Sequence, residues 1–185
     1  MKYQLVYSDP PWNWKAYSAK GEGRSAKNHY QTQDLEWIKS LPVNEITEDN
    51  SVLLMWVTDP FLKKGLEVME AWGFEYKTVG FYWAKQCRKS DGWHIGNGYY
   101  TRANPEQCLL GTKGKGISRV SKSVRRLIVS RIQEHSAKPR EAYGRIEQLF
   151  GEVTRLEMFA RGNRPGWDAW GNEVENSVDL FTEML

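Results

Sequence analysis

At 185 residues, with 40% hydrophobic and 13% aromatic residues, the chain has the size and composition of one folded domain, and residues 1–185 are read as a single unit. No apolar run approaches the length of a membrane span, and two cysteines, Cys87 and Cys108, are too few for a disulfide framework and lack metal-ligand spacing. Net charge is only +3, yet residues 113–131 carry seven basic side chains and no acidic one, so the basicity is local and the remainder is net acidic.

Strand-like sequence begins at once, which leaves no room for a charged leader and its apolar core; with the unpaired cysteines this points to a cytoplasmic protein. Residues 3–8 read as a short buried strand that Asp9-Pro10-Pro11 must stop, because proline offers no amide donor. Polar, glycine-containing sequence follows over residues 15–28. A short helix is then predicted over residues 34–40, capped by Asp34 and closed before Pro42. Residues 52–57 are wholly apolar, the pattern of a parallel strand covered on both faces. Asp59-Pro60 opens a helix with apolar Phe61, Leu62, Leu66, Met69 and Trp72, ending at Gly73. Further strands are expected over residues 75–83, 106–110 and 154–160. A helix over residues 139–150 has proline at its start and Gly151 past its end. Residues 111–123, with three glycines among lysines and serines, read as a flexible loop. Alternating strands and helices make this an α/β domain with a mostly parallel sheet flanked by helices.

Asp9-Pro10-Pro11-Trp12 lies where open α/β sheets bind ligands, beyond the carboxyl end of a strand. Its chemistry suits a poor nucleophile such as the exocyclic amine of adenine, whose lone pair is delocalised into the ring. If the Asp9 carboxylate and the Pro10 carbonyl accept the two amino hydrogens, the nitrogen becomes electron-rich and pyramidal, and its lone pair can point at an electrophilic methyl. Pro10 fixes its own φ and Pro11 holds Pro10 extended, so the acceptor carbonyl is preorganised. Trp12 supplies a flat face on which a base extruded from a duplex can stack, worth about 1–3 kcal/mol per base, and Trp14 lies beside it in sequence.

The chain resembles the DPPW adenine methyltransferases, a family that includes the catalytic subunit of the eukaryotic messenger-RNA adenosine methyltransferase and bacterial and phage DNA enzymes. The likeness runs through Tyr7-Ser8-Asp9-Pro10-Pro11-Trp12, Tyr30-Gln31-Thr32, Leu54-Met55-Trp56-Val57-Thr58, Trp83-Ala84-Lys85 and Glu106-Gln107-Cys108-Leu109-Leu110. It continues through His135-Ser136-Ala137-Lys138-Pro139, Glu157-Met158-Phe159-Ala160-Arg161 and Gly166-Trp167-Asp168-Ala169-Trp170-Gly171-Asn172-Glu173. The resemblance implies a Rossmann-like S-adenosylmethionine-dependent methyltransferase fold in permuted order, with Asp9, Pro10, Pro11 and Trp12 catalytic. It also implies that Asp9, Lys138, Phe159, Arg161, Gly162, Asn163, Asn172 and Glu173 bind S-adenosylmethionine, with Lys138 neutralising the methionine carboxylate and Arg161 and Asn172 at the ribose. Tyr30 matches an aromatic near the acceptor adenine.

The expected activity is methyl transfer to the 6-amino group of adenine in DNA. The alternatives are an RNA adenosine methyltransferase of the same fold and a non-catalytic nucleic-acid-binding partner subunit. Lys113, Lys115, Arg119, Lys122, Arg125 and Arg126 are expected to hold the phosphate backbone. The absence of G-x-G-x-x-G argues against a dinucleotide oxidoreductase, and His29, His94 and His135 form no metal pattern, so no metal is expected.

Overall fold

The computed structural model describes residues 1–12, 34–133 and 137–180. The expected contacts of Trp14 and Tyr30, the polar stretch at 15–28, and His29 and His135 therefore lie outside the described residues.

Seven strands form one sheet in the order β5-β3-β4-β2-β1-β6-β7. They are β1 (Tyr3–Ser8), β2 (Thr47–Val57), β3 (Glu75–Gln86), β4 (Glu106–Lys113), β5 (Leu127–Arg131), β6 (Arg155–Met158) and β7 (Asp168–Trp170). All neighbours pair in parallel except β4, which runs antiparallel between β2 and β3. The mostly parallel sheet is thus present, with one reversed strand inside it.

Among the described residues the helices are α1 (Leu35–Ser40), α2 (Val43–Ile46), α3 (Leu62–Ala71), entered through a 3-10 turn at Asp59–Phe61, and α4 (Glu141–Phe150). The helix predicted over residues 34–40 is α1, with Asp34 at its N-cap but without a side-chain cap bond. Gly73 and Gly151 follow α3 and α4 with φ of 82° and 65°, as helix-ending glycines should.

The strand predicted over residues 52–57 is buried on both faces, and its alternate residues split between two cores. Leu53, Met55 and Val57 pack with Ile38, Val68, Met69 and Trp72 under α1 and α3. Val52, Leu54 and Trp56 pack with Leu5, Tyr7, Phe81, Ile146 and Phe150 under α4. One expectation is corrected, and one strand is added. Gly111-Thr112-Lys113 belongs to β4, because these residues pair with Val52 and its neighbours, and the following basic stretch yields a strand, β5, in which only Ile128 is buried.

The permuted order brings distant sequence together. β1 lies directly beside β6, Ser8 opposite Met158, so the chain leaves the sheet side by side at Asp9 and at Phe159. Because β1, β2 and β3 are parallel and β4 is antiparallel, the starts of the loops after Ser8, Val57 and Gln86 share one sheet edge with the beginning of β4.

Candidate functional site

At that shared edge, a row of paired charges flanks Asp9. Lys138, just ahead of α4, donates to Asp9 Oδ2 at 2.8 Å and lies 3.3 Å from Glu106 Oε2 at the head of β4. Lys85, at the end of β3, bonds Glu106 Oε1. Both lysines and Glu106 are largely withdrawn from solvent, whereas the Asp9 side chain keeps 28% exposure. Asp9 is therefore held from one side and open on the other.

Burial pushes the Asp9 carboxyl above the ordinary aspartate value; Lys138 pulls it back and Glu106 adds to the rise. Burial acts in the same sense on Glu106, but there the Lys138 and Lys85 ammonium groups win and hold it below the usual glutamate value. The two carboxylates thus part in character: Glu106 is biased towards its charged form and Asp9 towards its neutral one.

Beneath the turn, aromatic packing sets its position. Tyr7 makes edge contacts with Tyr143 and Trp167 at 5.1 and 5.9 Å, and its hydroxyl accepts the Trp56 indole N–H at 2.6 Å. The Trp12 indole N–H donates to the Trp56 carbonyl at 3.2 Å, and its ring stacks on Phe61 at 5.6 Å with an interplanar angle of 14°. At 8% exposure Trp12 braces the turn against the 3-10 segment instead of standing as an open platform. The Pro10 carbonyl, expected as an acceptor, takes the Trp12 backbone N–H at 2.8 Å; a carbonyl has a second lone pair, so it still has accepting capacity. Pro11 is half-buried within the turn.

Phe159 leaves β6 with φ of 61°, a costly conformation for a residue with a side chain, and its ring meets Trp170 edge-on at 5.4 Å. Beyond it, Arg161, Gly162 and Asn163 are exposed, as are Asn172 and Glu173 after β7. Arg161 Nε approaches Glu173 Oε1 to 3.7 Å, tying the two strand ends together. Gly171 is packed so closely against Ala160 that a Cβ there would strike its backbone. Beside Asn172 opens a cavity of about 500 Å³ lined by Trp37, Trp170, Asn176, Ser177, Val178 and Asp179.

The sequence-assigned residues fall into two groups. Asp9, Phe159, Arg161, Gly162, Asn163, Asn172 and Glu173 lie at or just beyond adjoining strand ends, and Lys138, ahead of α4, reaches that edge where two of the chain's own carboxylates engage it. The basic segment does not join them. Lys113 sits at the far end of β4, bonded to the Asn44 and Thr47 carbonyls, and Lys115 follows beside Asn50. Arg119, Arg125 and Arg126 line a cavity of about 330 Å³ on the α4 face, and Lys122 lies exposed in the same crossing segment. β5 is separated from β1 by three strands, roughly 19 Å at ordinary strand spacing. Glu106 and Lys85 are the site residues that sequence reasoning left without a role. Both stand in stretches that carry the family likeness, and that likeness was the one signal pointing to them.

Among the described residues, no helix is long and apolar enough to cross a membrane, and no cluster of histidine, cysteine and carboxylate side chains is placed to hold a metal.

The MT-A70 family model matches residues 3–173. The chain is 34% identical, over 98% of its length and 82% of the relative's, to the type II methyltransferase M.MunI of a Mycoplasma species. It is 28% identical over 94% of its length to the N(6)-adenosine-methyltransferase catalytic subunit METTL3 of Homo sapiens, of which it spans 28%. It is also 28% identical to an MT-A70-like N(6)-adenosine-methyltransferase of Arabidopsis thaliana, spanning 25% of that protein.

Proposed function

This chain belongs to the MT-A70 family, and from that premise we propose that it transfers a methyl group from S-adenosylmethionine to the exocyclic 6-amino group of adenine in DNA. The observation that carries the reading is the Asp9 carboxylate, braced by Lys138 yet partly open, at the edge where β1 adjoins β6. The choice of DNA follows the greater likeness to the Mycoplasma methyltransferase, in both identity and coverage, than to the eukaryotic adenosine enzymes.

The residues present suit the cofactor. A guanidinium (Arg161), two amides (Asn163, Asn172) and a carboxylate (Glu173) offer the donors and acceptors that ribose hydroxyls and an amino-acid end require. The cavity beside Asn172 offers the aromatic rings of Trp37 and Trp170, 6.3 Å apart and nearly parallel. When bound, S-adenosylmethionine supplies an electrophilic methyl on a sulfonium.

The chain's own work is positioning and polarisation. Asp9, ionised, accepts one amino hydrogen of the adenine and the Pro10 carbonyl accepts the other, which localises the lone pair on nitrogen. The Trp12–Phe61 stack and the Trp12 indole bond hold this acceptor pair still. Lys138 fixes the Asp9 carboxylate and favours its charged form, while Glu106 fixes Lys138. After transfer the amine must lose a proton, and Asp9 is the base nearest to hand in this arrangement, its affinity for a proton raised by burial.

Labelled methyl transfer to matched DNA and RNA oligonucleotides tests the assignment. Label in N6-methyladenine of the DNA is the expected result; label in the RNA alone would move the activity to the RNA alternative.

A further inference from the structure

Between β3 and β4 the chain leaves the sheet for residues 87–105 and returns at Glu106, so this excursion rises from the edge that carries Asp9. Its root is fixed. Gln86 bridges Trp93, the Cys87 N–H donates to the Gly92 carbonyl at 3.0 Å, and Arg131 of β5 donates to the carbonyls of Cys87 and Ser90 and to Asp91. Asn104 accepts from the Lys85 N–H at 3.0 Å and donates to the carbonyls of Lys85 and His94 at 2.8 and 2.6 Å. From Lys85 the ion pairs continue through Glu106 and Lys138 to Asp9, so the root and the catalytic turn belong to one polar network.

Beyond the root, Gly96 bridges Ala103 and the chain turns so tightly that a Cβ on Gly98 would overlap the Thr101 carbonyl. The tip presents Tyr99 at 80% and Tyr100 at 93% exposure, with Trp93 at 58% lower down. The Tyr99 and Tyr100 rings meet each other edge-on at 5.0 Å and stay open to solvent, on a stem that is well tied. The arm also carries Arg88, Lys89 and Arg102, while Asp91, its one acidic side chain, is engaged by Arg131.

We propose that residues 87–105 form a nucleic-acid recognition arm. Tyr99, Tyr100 and Trp93 stack on bases next to the target adenine, and Arg88, Lys89 and Arg102 meet the phosphates. Extruding an adenine unstacks its neighbours, and exposed rings on an arm that rises from the same sheet edge replace that stacking. This inference rests on the reading of the chain as a nucleic-acid methyltransferase and says which part of it holds the strand.

The test compares the wild-type protein with Tyr99→Ala/Tyr100→Ala and with Tyr99→Phe/Tyr100→Phe, which keeps the rings. Anisotropy of a fluorescein-labelled DNA of mixed sequence should show affinity about tenfold or more weaker for the Ala pair and near wild type for the Phe pair. KM for DNA should rise by a similar factor with kcat within about twofold, because the tip touches no reacting atom. Calorimetric binding of S-adenosylmethionine should be the same in all forms. Unchanged DNA affinity and KM in the Ala pair would overturn the proposal. So would an Ala pair that binds DNA normally but converts a wild-type dimer to monomer, since the rings would then be a protein contact. Should the wild-type protein methylate neither DNA nor RNA, the functional assignment fails, while the anisotropy comparison still decides the arm.

Discussion

Asp9 is under two opposing demands. In the proposed reaction it is ionised to accept an amino hydrogen, yet its burial resists ionisation, and Lys138 offsets part of that resistance. The pH dependence follows with a definite sign. Activity should fall on the acid side, and because the Asp9 carboxyl lies above its ordinary value, the midpoint of kcat/KM should lie above that of an unperturbed aspartate. Lys138→Met removes the cation that favours the charged form, so the acid limb should shift to higher pH. A limb that stays in place in that variant would show that Lys138 does not govern Asp9. Glu106 should not add a second limb in the same range, because its two ammonium neighbours hold it below the usual glutamate value.

At the level of elements, the site depends on strand ends meeting. β1 and β6 place Asp9 and Phe159 side by side, and β7 is drawn against β6 at Gly171, where only a hydrogen fits beside Ala160. Gly171→Ala should force these ends apart. Overpacking of this kind costs about 1–3 kcal/mol of stability, and the displaced strand ends should weaken S-adenosylmethionine binding measurably in calorimetry. Near-normal binding would place the cofactor elsewhere.

Some of this architecture is legible in sequence and some is not, for physical reasons. β1, α1, α3 and α4 can be read because proline, glycine and apolar periodicity mark their ends and faces. β5 is hidden, since only Ile128 of its residues is buried and its pairing with β3 gives no local signal. β7 spans three residues, too few for any period to show. The Asp9–Trp12 turn announces itself through its double proline. The Asp9–Lys138 bond joins residues 129 apart, and no reading of spacing could foresee that Glu106 and Lys85 complete the row.

Across the whole molecule, charge and function separate. The basic residues from 113 to 126 run from the far end of β4 over the α4 face to the start of the outer strand, whereas Arg131 and the smaller basic group on residues 87–105 stand at the edge that holds Asp9. Removing one cation that neutralises a phosphate lowers the slope of log affinity against log salt by about 0.9 on duplex DNA. Replacing Arg88, Lys89 and Arg102 with alanine should therefore flatten the salt dependence of DNA binding, and Arg125→Ala/Arg126→Ala should leave it nearly unchanged. The reverse outcome would return the strand to the α4 face.

The central claim is that the Asp9 turn makes an adenine amine nucleophilic. Its most direct test is single-molecule sequencing of DNA from a host free of adenine methylation, expressing either the wild-type protein or Asp9→Ala. The wild type should write N6-methyladenine in a defined sequence context. Asp9→Ala should reduce it by at least about two orders of magnitude while remaining folded, as loss of one preorganised polar partner does elsewhere. Methylation persisting at near-normal levels in Asp9→Ala would contradict the account.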